Sequence, residues 1–364
     1  MCSKYALNAI CPYYAMFPLE FPMRILQNVP RDYVVADPFC GRGTTNFAAQ
    51  MLGMRSYGID TSPVAIAIAR SKCSNADIGE VLDLAKNLIN SAPPKEIPKG
   101  VFWKHAFHPS TLKQVCGLRE GLQRKSSQTA ILLRALALGC LHGPRNKTID
   151  TLAYFSNQMP RTFASKPDYA VRFWTKNGMV PPKVDVISVL KRKGNRSLGN
   201  LVDAPGAPRN IKQGDASKRC SFKHITEDID IVVTSPPYYG LQTYVEDQWL
   251  RNWFVGGPPN VPYGAKTGLK QTTQSDFATA LGRVWVQLAS KSSVDARLVI
   301  RFGSVGSRDV DAKGLLKESL RISDKWRVYR TVPIQHASES RRQATAMGTQ
   351  SQPLAEYDFF CARK

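Results

Sequence analysis

No run of about 18 or more uncharged apolar residues occurs in the 364-residue chain, so nothing in it reads as a membrane-spanning helix. The opening Met1-Cys2-Ser3-Lys4-Tyr5 leads into no apolar signal-peptide core. Eight cysteines are scattered without a Cys-x-x-Cys pair. That spacing argues against a zinc site and a disulfide framework, and for reduced thiols in a cytoplasm. His105 and His108 have a ligand-like spacing, but no cysteine pair stands near them, so no metal is expected. There is no internal repeat. Acidic residues are scarce, 28 against 50 Lys and Arg.

The scarcity of acid leaves a net charge of +22 and a pI near 9.8, which favours a polyanionic partner. The excess is uneven. Between Val101 and Lys223 there are 22 basic and 6 acidic residues, a net +16. A merely solvated basic surface would be spread more evenly, so this segment is expected to contact nucleic acid. With 43% apolar and 9% aromatic residues the chain is a folded one, long enough for one large core or two modest ones.

The most informative stretch is Thr234-Ser235-Pro236-Pro237-Tyr238. It follows Ile229-Asp230-Ile231-Val232-Val233, which has the composition of a short buried strand. Two prolines cannot donate to a sheet ladder, so the chain leaves the sheet there and displays Ser235 and Tyr238 at a strand's C-terminal end. In an open α/β sheet that is where ligands bind. The Ser235 hydroxyl and the Pro236 carbonyl are two acceptors at fixed spacing, suited to the N–H groups of an exocyclic amine. Tyr238 offers a flat face for an extruded base. Read by itself, the same stretch fits a Pro-Pro turn with a buried tyrosine equally well.

A second constellation precedes it. Tyr33 to Asp37 reads as a strand, Pro38-Phe39-Cys40-Gly41-Arg42-Gly43 as a glycine-bearing turn, and Thr44 to Leu52 as a helix with Thr44 as its N-cap. Gly41 and Gly43 would let the backbone approach a ligand closely. Helix-end N–H groups together with the Asp37 carboxylate suit a zwitterionic amino-acid moiety. The strand Arg55–Asp60 ends in an acid where a nucleotide-binding βαβ unit holds ribose hydroxyls. Asp215, after a short strand at 210–216, is placed to accept from an adenine amine, or is simply a turn residue.

Further strands are expected at 297–302, 327–334 and 356–361. Helices are expected at 23–28, 63–72, 78–90, 110–124, 129–141, 275–289 and 311–323. Ser91 to Gly100 is a linker. Arg161 and Arg172 lie in stretches where aromatics alternate with basic residues, fitting a surface for phosphates and bases or the wet face of a core helix. Lys191-Arg192-Lys193-Gly194-Asn195-Arg196 reads as a mobile basic loop or a solvated turn. Arg341 and Arg342 lie in a long polar surface loop at 336–352. Three segments result: residues 1–100 as the cofactor half of a catalytic domain, 101–208 as a basic insertion for target recognition, and 209–364 as the catalytic half.

With these residues assembled, the chain resembles the S-adenosylmethionine-dependent DNA amino-methyltransferases, which modify cytosine N4 or adenine N6. Asp37-Pro38-Phe39-Cys40-Gly41-Arg42-Gly43-Thr44-Thr45 is similar to the family's cofactor motif, and Thr234-Ser235-Pro236-Pro237-Tyr238 to its catalytic motif. Phe17-Pro18 resembles the segment just before the cofactor loop. Arg42 stands where the family more often has a small residue. The resemblance implies an α/β fold, a Rossmann-like, seven-stranded, mostly parallel sheet with helices on both faces. It implies S-adenosylmethionine as cofactor, held by Phe17, Asp37, Phe39, Gly41, Gly43, Thr44, Thr45, Asp60 and Asp215. Ser235, Pro236, Pro237 and Tyr238 would be catalytic, on double-stranded DNA contacted by Arg161, Arg172, Lys191, Arg192, Lys193, Arg341 and Arg342. A prokaryotic or phage cytoplasm and a companion restriction endonuclease would fit this class. Ser at the first motif position favours cytosine N4; adenine N6 is the alternative. The absence of Pro-Cys excludes the cysteine-nucleophile route to cytosine C5. RNA guanine-N2 or protein-glutamine methylation, or a non-catalytic DNA-binding subunit, are the rival classes.

Overall fold

In the computed structural model the chain is described over residues 5–13, 17–144, 153–159, 166–198, 207–240, 245–263, 269, 272–305, 310–334 and 353–364. In chain order the elements are α1 (Glu20–Leu26), β1 (Val35–Asp37), α2 (Thr44–Met51), β2 (Ser56–Asp60), α3 (Pro63–Ser71), α4 (Ile78–Ser91), α5 (Val101–Ala106), α6 (Pro109–Leu122) and α7 (Gln128–Cys140). They continue with α8 (Pro167–Lys176), α9 (Val186–Leu198), β3 (Ile211–Gln213), β4 (Ile229–Thr234), α10 (Trp249–Phe254), α11 (Gln274–Ala289), β5 (Ser292–Val305), α12 (Ala312–Ser323), β6 (Trp326–Pro333) and β7 (Pro353–Arg363).

Local chemistry accounts for many of the boundaries. Ser62, Asp77, Ser127, Thr273 and Asp311 each accept a backbone N–H in the first turn of the helix that follows, and Pro63 occupies the first turn of α3, where no donor is needed. The first helix starts at Glu20, three residues earlier than the sequence suggests. Pro22 falls within its first turn, where a missing N–H costs nothing.

The chain divides into two compact units. The first comprises Tyr13–Cys73, Ala204–Thr243 and Lys266–Lys364 and contains all seven strands, in the order β3-β2-β1-β4-β5-β7-β6. β1 to β5 run parallel, while β7 is antiparallel to both β5 and β6. The fold is therefore a mixed seven-stranded α/β sheet, with α2 and α3 packed against β1–β3 and α11 and α12 against β5–β7. β4 is apolar along nearly its whole length because it runs through the middle of the sheet; Ile229, Ile231, Val232 and Val233 are all buried. The main core joins Ile229 and Val232 to Phe277, Leu281, Trp285 and Leu288 of α11 and Leu315, Leu316 and Leu320 of α12. Two buried indole N–H groups find acceptors there, Trp285 on the Ser319 hydroxyl at 2.9 Å and Trp326 on the Trp285 carbonyl at 3.0 Å. The strand order reverses between β1 and β4, which makes their C-terminal ends the switch point of the sheet.

The second unit comprises Met1–Pro12, Ser74–Asp203 and Tyr244–Ala265 and is helical. Its long middle segment starts at Ser74, ahead of the linker at 91–100. α4 packs on α6, α7 and α9, and so belongs with the helices rather than with the cofactor half. Residues 245–263, also taken with the catalytic half in the sequence, contribute Trp249 and Trp253 to an aromatic core with Phe102, Trp103, Phe107 and Trp174. α5 was not legible, being six residues long with Lys104 and His105 in its last turn.

The basic run Lys191–Arg196 is not a loop. It lies inside α9, whose Val186, Val189, Leu190, Gly194, Ser197 and Leu198 form the buried stripe. Gly194 is the reason that the pattern misleads: a Cβ there would come within 2.1 Å of Ile78 Cδ1, so the glycine permits close helix packing instead of marking a turn. Lys193 is turned inward, its ammonium donating to the Ala9 carbonyl at 3.3 Å, and burial lowers its pKa. Substituting proline at exposed Lys191 distinguishes helix from loop. It should cost about 3 kcal/mol in urea unfolding, whereas a loop would tolerate it.

Candidate active site

β1 and β4 are adjacent and in register, Val35 beside Ile231 and Ala36 beside Val232, so both strands end at one level. The last residue of each touches the other: the Thr234 hydroxyl donates to Asp37 Oδ1 at 2.6 Å, with both residues buried. In the first turn of α2, the Thr45 hydroxyl donates to the Val233 carbonyl at 3.0 Å. The glycine turn after β1 and the Pro-Pro corner after β4 are thereby tied to a single place.

Asp37 is 1% exposed. Its Oδ1 also accepts the Phe39 N–H at 3.0 Å, while Oδ2 has no hydrogen-bond partner among the described residues. Burial pushes the carboxyl up to about 6, and Asp60 adds to the rise. The Thr234 hydroxyl and the Phe39 N–H oppose it. A buried carboxylate oxygen without a donor is costly, and a cationic donor is the partner that best offsets that cost.

The two glycines of the turn serve different ends. Both have positive φ, +50° at Gly41 and +74° at Gly43. A Cβ on Gly43 would meet the Ala69 Cβ at 2.7 Å, so this glycine lets the turn pack on α3. A Cβ on Gly41 would meet nothing within 4 Å; only there is the backbone open to a ligand. Gly43, not Thr44, is the N-cap of α2, and Thr44 is its buried first residue. Arg42 is buried as well.

Asp60 closes β2. Its Oδ2 accepts the Gly41 N–H at 2.9 Å and its Oδ1 the Ser62 N–H at 2.8 Å, which holds β2's end against the glycine turn. The residue is half-buried and each oxygen retains a lone pair for a hydroxyl. Desolvation raises its pKa. The Gly214 N–H donates to the Asp60 carbonyl at 2.9 Å and so brings Asp215 beside this strand end. Asp215 itself acts as a turn residue, its Oδ1 accepting the Ser217 N–H at 2.9 Å and hydroxyl at 2.7 Å. Phe39 is edge-on to Trp285 at 6.3 Å, and Phe17 is edge-on to Phe21 at 5.4 Å; both rings are half-buried.

Beyond Thr234 the chain leaves the sheet, with Ser235 and Tyr238 half-buried and Pro236 buried. The Tyr238 ring meets Phe302 edge-on at 5.3 Å, and its hydroxyl donates to the Glu356 carboxylate. Burial, and then Glu356, push the phenol well above its usual range, opposed by hydrogen bonding with Ser235 and by the charge of Arg301.

On the same side of β7, Asp358 takes a bidentate bond from Arg301 at 2.9 and 3.0 Å and a third from Arg24 of α1 at 2.7 Å. The Arg301 guanidinium lies 4.0 Å over the Phe21 ring. None of Arg24, Arg301, Glu356 and Asp358 was singled out from the sequence. The available signal was two acids alternating in a strand that continues Phe359-Phe360-Cys361, a period-2 placement that puts both on one face.

Of the basic residues expected on nucleic acid, Arg172 on α8 and Lys191 on α9 are exposed, Arg192 is half-buried, and Lys193 is committed to the fold. Arg161, Arg341 and Arg342 lie outside the described residues. His108 caps α6 by accepting the Ser110 N–H at 3.3 Å. Among the described residues no helix is long and apolar enough to cross a membrane.

The family model described as DNA methylase matches residues 4–71, the segment that holds β1, the glycine turn and β2. No curated protein matches the chain. Among solved structures, the chain is similar to the rRNA methyltransferase aviRa from Streptomyces viridochromogenes, at 13% identity and a TM-score of 0.37, covering 99% of this chain and 92% of that one. Similar at 11% identity and a TM-score of 0.36 is a structure from work on the conversion of a disulfide bond into a thioacetal group during echinomycin biosynthesis, covering 95% of this chain and 82% of that one. Likeness at that level carries no argument about activity.

The Asp37 geometry sets a pH dependence. Because its folded pKa is raised, the carboxyl gains its proton as pH falls through about 6, and with it loses its attraction for a cation. Affinity for an ammonium-bearing ligand, measured by calorimetry, should fall about tenfold per pH unit below that point. Asp37→Asn keeps an acceptor for Thr234 and Phe39 but should weaken such binding by about 30- to 100-fold at neutral pH with no loss of thermal stability.

Proposed function

We propose that the chain transfers a methyl group from S-adenosylmethionine to the exocyclic amine of a base extruded from double-stranded DNA. The observation that carries this reading is the hydrogen bond between Thr234 and Asp37, which puts the two motif corners at one strand-end crevice. A methyl group can pass directly between two ligands only if their sites adjoin. The match of residues 4–71 to the DNA methylase model supports the cofactor side of the reading.

The residues present fit the cofactor. Asp37 Oδ2 is the unpartnered acceptor for its ammonium, Gly41 leaves room for its close approach, and Asp60 has lone pairs for the ribose hydroxyls. Phe39 and Asp215 flank this region, and Phe17 stands on the α1 side of the same unit. When bound, the cofactor supplies an electrophilic methyl on a sulfonium. Thr44 and Thr45 act through the fold, as the start of α2 and as its link to β4.

On the base side, the Ser235 hydroxyl and the Pro236 carbonyl accept the two N–H groups of the amine. The nitrogen can then become tetrahedral as it attacks, and Pro237 holds the corner. Tyr238 supplies the stacking face. Cytosine N4 is the favoured target and adenine N6 the alternative. Exposed Arg172 and Lys191 of the helical unit contact phosphates.

Tritiated methyl transfer to duplex DNA, RNA and protein in parallel tests the substrate class, and nucleoside mass spectrometry names the base. Label in RNA or protein alone would overturn the reading. Ser235→Ala should lower kcat by about 10²- to 10³-fold while cofactor affinity is unchanged. Neutralising Arg172 and Lys191 together should reduce the slope of log K against log salt by about 2, uniformly across DNA sequences.

A further inference from the structure

We infer that Glu356 is the positioning residue for Tyr238, fixing the plane of its ring through the phenol hydroxyl before a base arrives; this rests on the reading of Tyr238 as the stacking face. A tyrosine on a strand-end corner would otherwise be free to turn about two side-chain torsions, and a turned ring offers an edge instead of a face. Three contacts prevent this. Phe302 meets the ring edge-on at 5.3 Å. Gly303 has no side chain where one would obstruct, since a Cβ there would lie 3.2 Å from Tyr238 Cε2 and 2.6 Å from the Ala355 carbonyl. Glu356 pairs directly across from Gly303 in the β5–β7 ladder and takes the hydroxyl. The glycine makes the space and the carboxylate opposite it fills the role of anchor.

The neighbouring acid explains why Glu356 is available. Asp358 lies two residues on, on the same face, and is fully occupied by Arg301 and Arg24. Glu356 makes no ion pair among the described residues; its recorded partner is the phenol.

The test compares Glu356→Ala, Glu356→Gln, Tyr238→Phe and the Glu356→Ala/Tyr238→Phe double variant. Glu356→Ala and Tyr238→Phe should each lower kcat about tenfold, leave calorimetric affinity for S-adenosylmethionine unchanged, and together cost no more than either alone. Glu356→Gln still accepts the hydroxyl and should recover most of the rate. Independently of turnover, 3-fluorotyrosine at position 238 should show a shifted and broadened fluorine resonance in Glu356→Ala and a near-native one in Glu356→Gln. Additive losses, a Gln variant as slow as the Ala variant, or an unmoved resonance would overturn the inference. If Glu356→Ala does not fold, Glu356→Gln decides it by the same two readouts. A wild-type protein that methylates no nucleic acid sinks the substrate reading, whereas the fluorine resonance judges the Glu356–Tyr238 anchor by itself.

Discussion

A buried carboxylate at the end of β1, bonded by the threonine that ends β4, is the constraint on which the rest of this structure depends. The order of the sheet reverses between these strands, so their C-terminal ends form its switch point. Placing Asp37 there in a dry setting is costly, and its carboxyl rises to about 6 in consequence. Thr234 and the Phe39 N–H offset part of that cost at Oδ1, while Oδ2 has no hydrogen-bond partner among the described residues.

Acids at neighbouring strand ends show how surroundings assign roles. Asp60 is half-buried and spends one lone pair of each oxygen on a backbone N–H, which orients it while leaving room for hydroxyls. Asp358 is saturated by two guanidiniums and ties α1 to β5 and β7. Glu356, on the same face of β7, holds a phenol. The four carboxyls differ far more in their neighbours than in their chemistry.

Much of the fold was legible. β4 announced itself by an apolar run, broken only at Asp230 and ended by two prolines, and α3, α7 and α12 by their helical pattern. Asp37 and Thr234, which end the strands before the two motifs, meet in one hydrogen bond. Other features were not legible. The contact of Gly43 with Ala69 follows no local pattern. The loop reading of 191–196 did not survive: the run is helical because its apolar partners lie on α4 and α7, far away in sequence.

Local chemistry, which acts over a few residues, is written in the chain itself: where strands stop, where helices start, which turn needs glycine, and which segment carries the positive charge. The tertiary structure decided which of these features touch. Glu356 lies 118 residues from Tyr238, and Asp37 lies 197 from Thr234. Contacts over such separations depend on strand order and register, and a hydrogen bond of less than 3 Å leaves no trace in the spacing of the residues that make it.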